Sequence, residues 1–401
     1  MRFSRIRACA AAAMLLLTGC GQRAAADTGN AALHEYDPEG FAWKWPEKFS
    51  EEGTVNTTAD SYQSHDLNIQ LSRHFIGRLN GDVNHDQTVD ITDAVLSCRL
   101  LAEDAPADLS AEGMLNADCD NDGNVTLADT NRLMRYLKQM LTGVEFFTNR
   151  TVSYVVADVY VRDIRSLRGA FAKGTFPEKG SAQLESISKM AEDNNAVLAI
   201  NCDYCEIRSN GITCRNGVMY RDTARAEVAV IYQDGVMDVL TDAEYRALMP
   251  EQVANIWQTT SFAPGLVKDG VQMSGFSGST YTDLHPRSGI GYFEPGHYCF
   301  VQVDGRQPGY SDGVSVAEFA EIMFGLGVQE GYNMDGGSSS EVVFLGQTYN
   351  HPSGIKTGST GGRKNSDILF FCNLDEIPED TAAAAWFEAQ NTEVTETTNA
   401  G

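Results

Sequence analysis

Positive charge is scarce in this chain of 401 residues. It contains 30 Lys and Arg residues against 55 Asp and Glu residues, which gives a formal net charge of −25. Proteins that bind nucleic acid need a basic surface to meet the phosphate backbone, so this imbalance argues against DNA or RNA as a partner. It suits a protein that binds cations and works outside the cell.

Long hydrophobic runs are also missing, apart from one near the N-terminus. Arginines precede an apolar run from Ala8 to Leu17, and this run is too short to span a bilayer as a helix. A basic start followed by a short apolar run is typical of an export signal. The sequence therefore predicts a protein that is exported rather than one held in the membrane by a spanning helix.

The end of that run, Leu17-Thr18-Gly19-Cys20, resembles the lipobox of bacterial lipoproteins. The resemblance implies that residues 1–19 are a lipoprotein signal peptide, that Cys20 carries a lipid anchor, and that residues 20–47 are a linker. We expect a protein on the extracellular face of the bacterial cell membrane. If cleavage takes place instead between Ala24 and Ala26, the protein is secreted.

Cysteine is sparse, and its number is odd once the N-terminal segment is set aside. Without Cys9 and Cys20, the remaining cysteines are Cys98, Cys119, Cys202, Cys205, Cys214, Cys299 and Cys372. Cys98 with Cys119 is one candidate pair, and the cluster at 202, 205 and 214 suits a disulfide or a metal site. Because exported proteins accumulate disulfides, we expect disulfide bonding there, with at least one thiol left over.

Two segments, residues 82–93 and 118–129, carry Asp and Asn at matching positions. Oxygen side chains stand at loop positions one, three, five and twelve, with a backbone carbonyl at position seven, which is the ligand pattern of an EF-hand calcium loop. The sequence therefore predicts two calcium ions, and a pair of metal-free turns is the alternative. The predicted ligands are Asp82, Asn84, Asp86, Thr88 and Asp93 in the first loop, and Asp118, Asp120, Asp122, Asn124 and Asp129 in the second.

Apolar residues at helical spacing follow each loop. Two calcium loops with one helix after each resemble a dockerin, the module by which secreted enzymes attach to cohesin domains. The resemblance implies a cohesin-type partner, and a calcium-stabilised spacer without that partner is the other interpretation. Strands are predicted at residues 61–72 and 152–161, so we expect the module, residues 77–143, to be an insertion between paired strands.

A third motif joins a carboxylate to glycines and hydroxyls. Residues 333–340 read Asn-Met-Asp-Gly-Gly-Ser-Ser-Ser and follow a short apolar run. Glycines let backbone approach a ligand closely, and free amides in such a turn hold anions. Residues 300–306 share the design and add Arg306, so the sequence predicts an anion site.

These motifs resemble the phosphodiester glycosidase family, whose members include the enzyme that removes N-acetylglucosamine from a phosphodiester. The resemblance rests on residues 285–291, 303–306, 333–340 and 361–367, with further likeness at 199–204 and 215–217. It implies a hydrolase that cleaves the bond between a sugar and a phosphodiester, in a cell-wall or capsular polymer. The alternative is a non-catalytic glycan-binding lipoprotein displayed through the calcium module.

The resemblance also implies roles for particular residues. A carboxylate must attack the sugar or activate water, and arginines must hold the phosphate. The predicted catalytic residues are Asp335, Asp304 and Arg287. The predicted substrate-binding residues are Asn201, Asp203, Arg306, Asn333, Gly336, Gly337, Ser339 and Arg363, while Glu341 is predicted to be a solvated strand residue.

Strands and helices alternate without a regular βαβ repeat, which predicts an α+β fold. We expect a mixed-sheet phosphodiester glycosidase-like domain at residues 48–76 plus 144–375, joined to the small α-helical module. A helix is predicted at 181–194, a hairpin at 228–240, and capping boxes at Thr241 and Ser315. Residues 376–401 are polar and rich in Thr, Ala and Glu, so they are predicted to be a disordered tail.

Overall fold

A computed structural model of the chain describes residues 44–103, 109–177, 179–180, 183–354 and 362–378. The predicted signal peptide, Cys20, most of the predicted linker and residues 379–401 of the predicted tail lie outside these ranges. No helix within them is long and apolar enough to cross a lipid bilayer.

The predicted α+β class is confirmed. The strands are β1 (Asn56–Thr57), β2 (Ser61–Gln63), β3 (Leu67–Gly77), β4 (Thr151–Val161), β5 (Leu167–Phe171), β6 (Leu198–Asn201), β7 (Thr213–Arg215), β8 (Val218–Arg221), β9 (Val228–Tyr232), β10 (Met237–Leu240), β11 (Ile256–Thr260), β12 (Gly265–Lys268), β13 (Val271–Gln272), β14 (Arg287–Glu294), β15 (His297–Val303), β16 (Glu330–Asn333), β17 (Val342–Phe344), β18 (Gln347–Thr348) and β19 (Asp367–Phe371). The α-helices are α1 (Ile91–Leu101), α2 (Ala111–Ala117), α3 (Leu127–Leu137), α4 (Gly143–Phe146), α5 (Ile187–Asp193), α6 (Asp242–Arg246), α7 (Pro250–Ala254), α8 (Ser279–Thr282) and α9 (Val316–Gly325).

Two sheets form the main body. A nine-stranded sheet has the order β1-β2-β3-β4-β15-β14-β16-β12-β13, and a five-stranded sheet has the order β18-β17-β6-β19-β5. They share one hydrophobic core, in which the rings of Phe300 and Phe371 lie 5.0 Å apart. Every pairing between described strands is antiparallel, so the sheets are not of mixed direction.

Helix α9 covers part of the other face of the nine-stranded sheet. Its Phe319 and Met323 are fully buried in a second core with Val267 and Val301. The helix begins at the predicted capping box, in which Ser315 Oγ accepts from the backbone of Glu318 and the Glu318 carboxylate accepts from the backbone of Ser315. Strand β16 follows α9 in the chain, packs against it and leads into the Asn333–Ser340 segment.

The calcium-loop segment lies between β3 and β4 in sequence. These two strands pair along their whole length, from Leu67 opposite Val161 to Gly77 opposite Thr151. Helices α1 to α4 lie in the segment between them, and α1, α3 and α4 share a small core formed around Leu133 and Phe146. The chain therefore leaves the sheet and returns to it at adjacent positions.

Most of the predicted elements are present, with shifted ends. The hairpin forms from β9 and β10, and Thr241 caps α6 through the predicted box. The predicted helix at 181–194 begins only at Ile187, because Ser186 is its N-cap residue. Leu184, which is within the predicted range, therefore lies outside the helix.

Candidate functional site

Strands β15 and β16, on either side of β14 in the nine-stranded sheet, end at the same side of that sheet. Strands β15 and β16 both run antiparallel to β14, with Val303 opposite Arg287 and Asn333 opposite Gly289. They therefore point the same way, and the loops that carry the two predicted aspartates leave the sheet at the same side. The sheet topology brings these loops together although they are thirty residues apart in sequence.

Asp335 is buried just after β16, where the chain leaves the sheet. Only 7% of the residue is exposed, one carboxylate oxygen accepts from Gly336 N at 2.9 Å, and Oδ2 has no hydrogen-bond partner among the described residues. Burial raises the pKa of this carboxyl to about 7, although the Ser339 hydroxyl and the Gly336 amide partly offset the effect. A carboxyl that titrates near neutral pH is suited to general acid–base chemistry.

Two further buried polar atoms of the same segment are also unpaired. Asn333 Oδ1 and Ser339 Oγ have no hydrogen-bond partner of normal geometry among the described residues, although Ser339 lies near the Asp335 carboxyl. Asn333 is anchored through its other side-chain atom, because Nδ2 donates to the Ala263 carbonyl at 2.9 Å. Since buried polar atoms are normally paired, three orphans within seven residues indicate a place where a ligand or water completes the bonding.

A buried polar network supports the segment from below. Asn201 is fully buried, and its Nδ2 donates to the Asp335 carbonyl at 2.6 Å. Its Oδ1 accepts from Ser288 Oγ at 2.8 Å and from Glu341 N at 3.3 Å. Asn201 was predicted to bind substrate, but the structure places it beneath the loop with its hydrogen bonds satisfied, where it holds the Asp335 backbone.

Asp203 is likewise a buried structural carboxylate. It accepts from Thr260 Oγ1 at 2.5 Å and Ser261 N at 2.9 Å, and it forms an ion pair with Arg215 at 3.2 Å. Arg215 also pairs with Asp367 at 2.7 Å. With 2% of its surface exposed, Asp203 is not positioned to touch sugar hydroxyls as predicted, because its oxygens are used within the fold.

The same cluster decides between the disulfide and metal interpretations of the neighbouring cysteines. Cys202, Asp203 and Asp367 are close enough to hold a metal, but the Arg215 guanidinium occupies their centre, 3.3 Å from the Cys202 sulfur. Because the positive guanidinium already pairs with Asp203 and Asp367, these residues do not require a metal ion. The expected disulfides were wrong, since all seven cysteines in the described ranges are free.

Asp304 differs from Asp335 in having its oxygens satisfied. Its carboxylate accepts from Asn350 Nδ2 at 2.7 Å, from Tyr310 Oη at 2.8 Å and from His351 N at 3.1 Å. Burial raises its pKa, and these donors lower it in part. The predicted catalytic role is therefore less suited to Asp304, which holds the chain around Asn350 to the loop after β15.

Arg287 and Arg306 make a positive spot beside the glycines. Arg287 is buried, and its guanidinium donates to the carbonyls of Thr280, Asp283 and Val314 at 3.1 to 3.2 Å. Burial and the nearby Arg306 lower the Arg287 pKa to about 10. Arg306 is exposed, and a Cβ added at Gly337 would lie 3.2 Å from its guanidinium. Arg306 Nη2 lies 3.2 Å from His285 Nδ1. Because its guanidinium is the exposed one of the two, Arg306 is better placed than Arg287 to meet a ligand.

Two other cations lie at this rim. Arg363 stacks over the Tyr204 ring at 4.3 Å, and its backbone amide donates to the Ser338 carbonyl at 3.3 Å. Arg208 stacks over Phe262 at 4.5 Å and lowers the Asp335 pKa. Sequence reasoning missed Arg208, because it stands in no glycine motif and follows β6 by seven residues.

Two details of the sequence interpretation need correction. The amides of Gly336 and Gly337, predicted to hold an anion, donate to the Asp335 carboxylate and to the Pro286 carbonyl at 2.9 Å. Glu341, predicted to be solvated, is completely buried and accepts from Thr348 Oγ1 and Gly362 N. A buried carboxylate here closes the Gly362 segment onto β17.

The two predicted calcium loops have matching internal hydrogen bonds. In the first, Asp82 accepts from the amides of Asp86 and Gln87, and in the second, Asp118 accepts from those of Asp122 and Gly123. The position-twelve residues Asp93 and Asp129 are both fully buried and accept from amides at the start of their own loops. Each loop thus turns its carboxylates inward around one centre.

Backbone geometry makes the equivalence closer. Positions four and six have positive φ in both loops: 60° at His85 and 70° at Gln87, against 64° at Asn121 and 88° at Gly123. Carboxylate oxygens of Asp118, Asp120 and Asp129 lie within 4.8 Å of one another. A concave set of hard oxygen ligands fits Ca²⁺.

Several known proteins are similar to this chain. The SPbeta prophage-derived uncharacterized protein YomE of Bacillus subtilis (strain 168) is 30% identical over 228 residues, covering 53% of this chain and 32% of that protein. The chain thus spans about a third of the length of this curated relative. Among solved structures, the zebrafish N-acetylglucosamine-1-phosphodiester alpha-N-acetylglucosaminidase catalytic domain, auto-inhibited by its pro-peptide, aligns with a TM-score of 0.47 at 20% identity, covering 56% of this chain and 78% of that one.

A hypothetical protein from Synechocystis aligns with a TM-score of 0.42 at 15% identity, covering 55% of this chain and 59% of that one. Both TM-scores fall below the level that establishes a shared fold.

The family comparisons match defined segments of this chain. Both resemblances are confirmed by them, since residues 194–371 match the phosphodiester glycosidase family and residues 80–138 match the dockerin type I domain.

Proposed function

We propose that the protein is a hydrolase that cleaves the bond between a sugar and the phosphate of a sugar-1-phosphodiester. The observation that carries the proposal is the unpaired, buried Oδ2 of Asp335, whose carboxyl has a pKa of about 7, at an edge rimmed by arginines. An N-acetylglucosamine-type sugar in a cell-wall or capsular polymer is the substrate class, by analogy with the family.

Arg306 holds the phosphate in this proposal, with Arg363 and Arg208 at the other parts of the rim. A guanidinium fork meets two phosphate oxygens at once and stabilises the negative charge that grows as the phosphate leaves. Arg287 adds positive charge near Arg306, but it acts mainly by fixing the turn before β14, because its own donors are bound to backbone carbonyls.

Asp335 takes the proton from the attacking water. The water oxygen bonds to the anomeric carbon, the bond from that carbon to the phosphate oxygen breaks, and the electron pair stays with the phosphate, which leaves as a monoester. Oδ2 is the oxygen available for the proton, since Oδ1 already accepts from Gly336. Phosphate is a good leaving group, so a second, acidic carboxyl is not essential.

The calcium module gives the enzyme a means of attachment. We infer that its two loops hold two Ca²⁺ ions through the ten predicted ligands, that the module is an insertion between β3 and β4, and that it binds a cohesin-type partner. A lipid anchor at Cys20 places the enzyme on the cell surface. The direct pairing of Gly77 with Thr151 supports the insertion.

The proposal is tested by incubating the purified protein with sugar-1-phosphodiesters and measuring release of reducing sugar. Asp335→Asn is expected to abolish release while binding persists. A protein that binds anionic glycans but releases no sugar from any phosphodiester would favour the non-catalytic alternative, which the same arginine rim also suits.

A further inference from the structure

The calcium module, taken together with α4 and the chain up to Arg150 that returns to β4, touches the loop that carries Arg306. The Phe147 ring, which directly follows α4, lies on Gly309, so closely that a Cβ added there would fall 2.0 Å from the ring. A Cβ added at Gly143 would lie 3.5 Å from the Pro308 carbonyl, on the same loop. Because Gly309 follows Arg306 by three residues, the module rests on part of the proposed phosphate-binding loop.

Phe147 is held in turn by the helices of the module. Its ring packs edge-on against Tyr136 of α3 at 4.9 Å and against Phe146 at 5.0 Å. Phe146 is completely buried with Leu133 in the core of the module. The position of the Phe147 ring therefore depends on the packing of α3 and α4, and these helices follow the second calcium loop.

That second loop is also bonded directly to the chain that returns to the sheet. Asn121, at loop position four between two predicted ligands, donates to Thr148 Oγ1 at 2.6 Å and accepts from Asn149 Nδ2 at 3.1 Å. Asn149 donates as well to Asn80 Oδ1, before the first loop, at 2.6 Å. Residues 147–149 thus contact the second calcium loop, Asn80 just before the first loop, and the Gly309 loop.

The Gly309 loop contacts the candidate site through Tyr310 and β4 through Asp312. Tyr310 donates to the Asp304 carboxylate at 2.8 Å and stacks on His351 at 4.7 Å. Asp312 accepts from Thr151 N at 3.0 Å, which ties the end of the loop to the first residue of β4. The loop on which Phe147 packs is thus bonded to the rest of the fold at both ends of the segment that presents Arg306.

We propose that Phe147 is a positioning residue through which the calcium-loaded module holds the Arg306 loop, residues 305–312, in the shape that binds phosphate. The module is then a brace of the active site as well as a point of attachment. The physical link stands independently of the proposed function, whereas its effect on turnover rests on that function. Calcium removal loosens residues 147–149, and the loop they support follows.

The test is hydrogen–deuterium exchange of the full chain, with Ca²⁺ and after chelation, read at residues 305–312 and at β9 as a distant reference. In the wild-type protein, Ca²⁺ is expected to slow exchange at 305–312 by about tenfold or more and to leave β9 unchanged. In Phe147→Ala, calorimetry should still show Ca²⁺ binding, but the protection at 305–312 should be lost. Phe147→Leu should restore part of it.

Met140→Ala is the matched control, because Met140 lies on the same module with 64% of its surface exposed and should behave as the wild type. Protection that ends within residues 80–138, or protection at 305–312 that survives in Phe147→Ala, would overturn the proposal even if the enzyme is active.

With sugar-1-phosphodiester as substrate, Phe147→Ala should raise KM more than it lowers kcat. Loss of all turnover in the wild type, with the calcium-dependent protection intact, would instead contradict the hydrolase function alone.

Discussion

Asn201 donates a hydrogen bond of 2.6 Å from its side chain to the backbone carbonyl of Asp335. The bond joins the end of β6, in the five-stranded sheet, to the segment that leaves β16, in the nine-stranded sheet. It therefore fixes the proposed catalytic carboxylate at the point where the chain passes from one sheet to the other.

Replacing Asn201 should weaken both stability and turnover. Asn201→Ala removes the donor to the Asp335 carbonyl and the acceptor of Glu341 N, whereas Ser288 Oγ keeps Gln302 Oε1 as an acceptor. Buried groups left unsatisfied cost about 1 to 3 kcal/mol each, so we expect a loss of about 3 kcal/mol in urea unfolding. Asn56→Ala is the control, because Asn56 makes an exposed bond to Gln63, and an equal loss in both variants would contradict this role.

Asp335 should make the protein less stable as the pH rises. Its pKa is about 7 in the folded protein and about 4 in an unfolded chain. The folded state therefore binds more protons between these values, and stability falls as the pH rises through that window. Asp335→Asn should stabilise the protein at pH 8 by at most ~4 kcal/mol and have little effect at pH 4. Urea unfolding at both pH values measures this, and an equal effect at the two would show that the carboxyl is not perturbed.

Arg306 should contribute to substrate binding rather than to folding. The guanidinium is exposed beside Gly337, so Arg306→Ala is expected to raise KM by ~30-fold, from the loss of about 2 kcal/mol of charge-assisted hydrogen bonding. Its unfolding midpoint should stay close to that of the wild type. Arg246→Ala, on the exposed face of α6, is the matched control and should change neither quantity. A large fall in stability with unchanged KM would contradict the assignment.

Gln87 is expected to lower the affinity of the first loop for Ca²⁺. Position six has a φ of 70° there, a conformation that glycine adopts more readily than glutamine. Gln87→Gly is therefore expected to strengthen Ca²⁺ binding at this loop by about 1 kcal/mol, or roughly fivefold. The reverse change, Gly123→Gln in the second loop, should weaken binding by a similar amount. Titration calorimetry of both variants measures the effect, and no change in either would mean that the φ at this position does not limit binding.

Local motifs in the sequence predicted two helix starts, a hairpin and the dockerin-like segment. The capping boxes at Thr241 and Ser315 and the hairpin of β9 and β10 depend on residues a few positions apart, and all are present. The predicted calcium loops are equally local, since twelve consecutive residues contain all the proposed ligands of each loop. Such features survive folding because distant parts of the chain do little to alter them.

The candidate site was less predictable, because burial depends on residues far away in sequence. Asp304 and Asp335 have similar sequence settings, yet Asn350 and His351 satisfy only Asp304. Cys202 was predicted to form a disulfide. In the folded protein, the guanidinium of Arg215, thirteen residues further along the chain, lies beside its sulfur instead. Arg208 carried no motif at all, and only the folded structure brings its charge near Asp335.

The pH dependence of sugar release tests the central claim most directly. With a sugar-1-phosphodiester as substrate, kcat/KM of the wild-type protein should rise as the pH increases through about 7, because Asp335 must be deprotonated to accept a proton from water. Asp335→Asn should bind the same substrate with kcat lower by about 100-fold or more. Sugar release by Asp335→Asn at the wild-type rate and with the same pH profile would contradict the account.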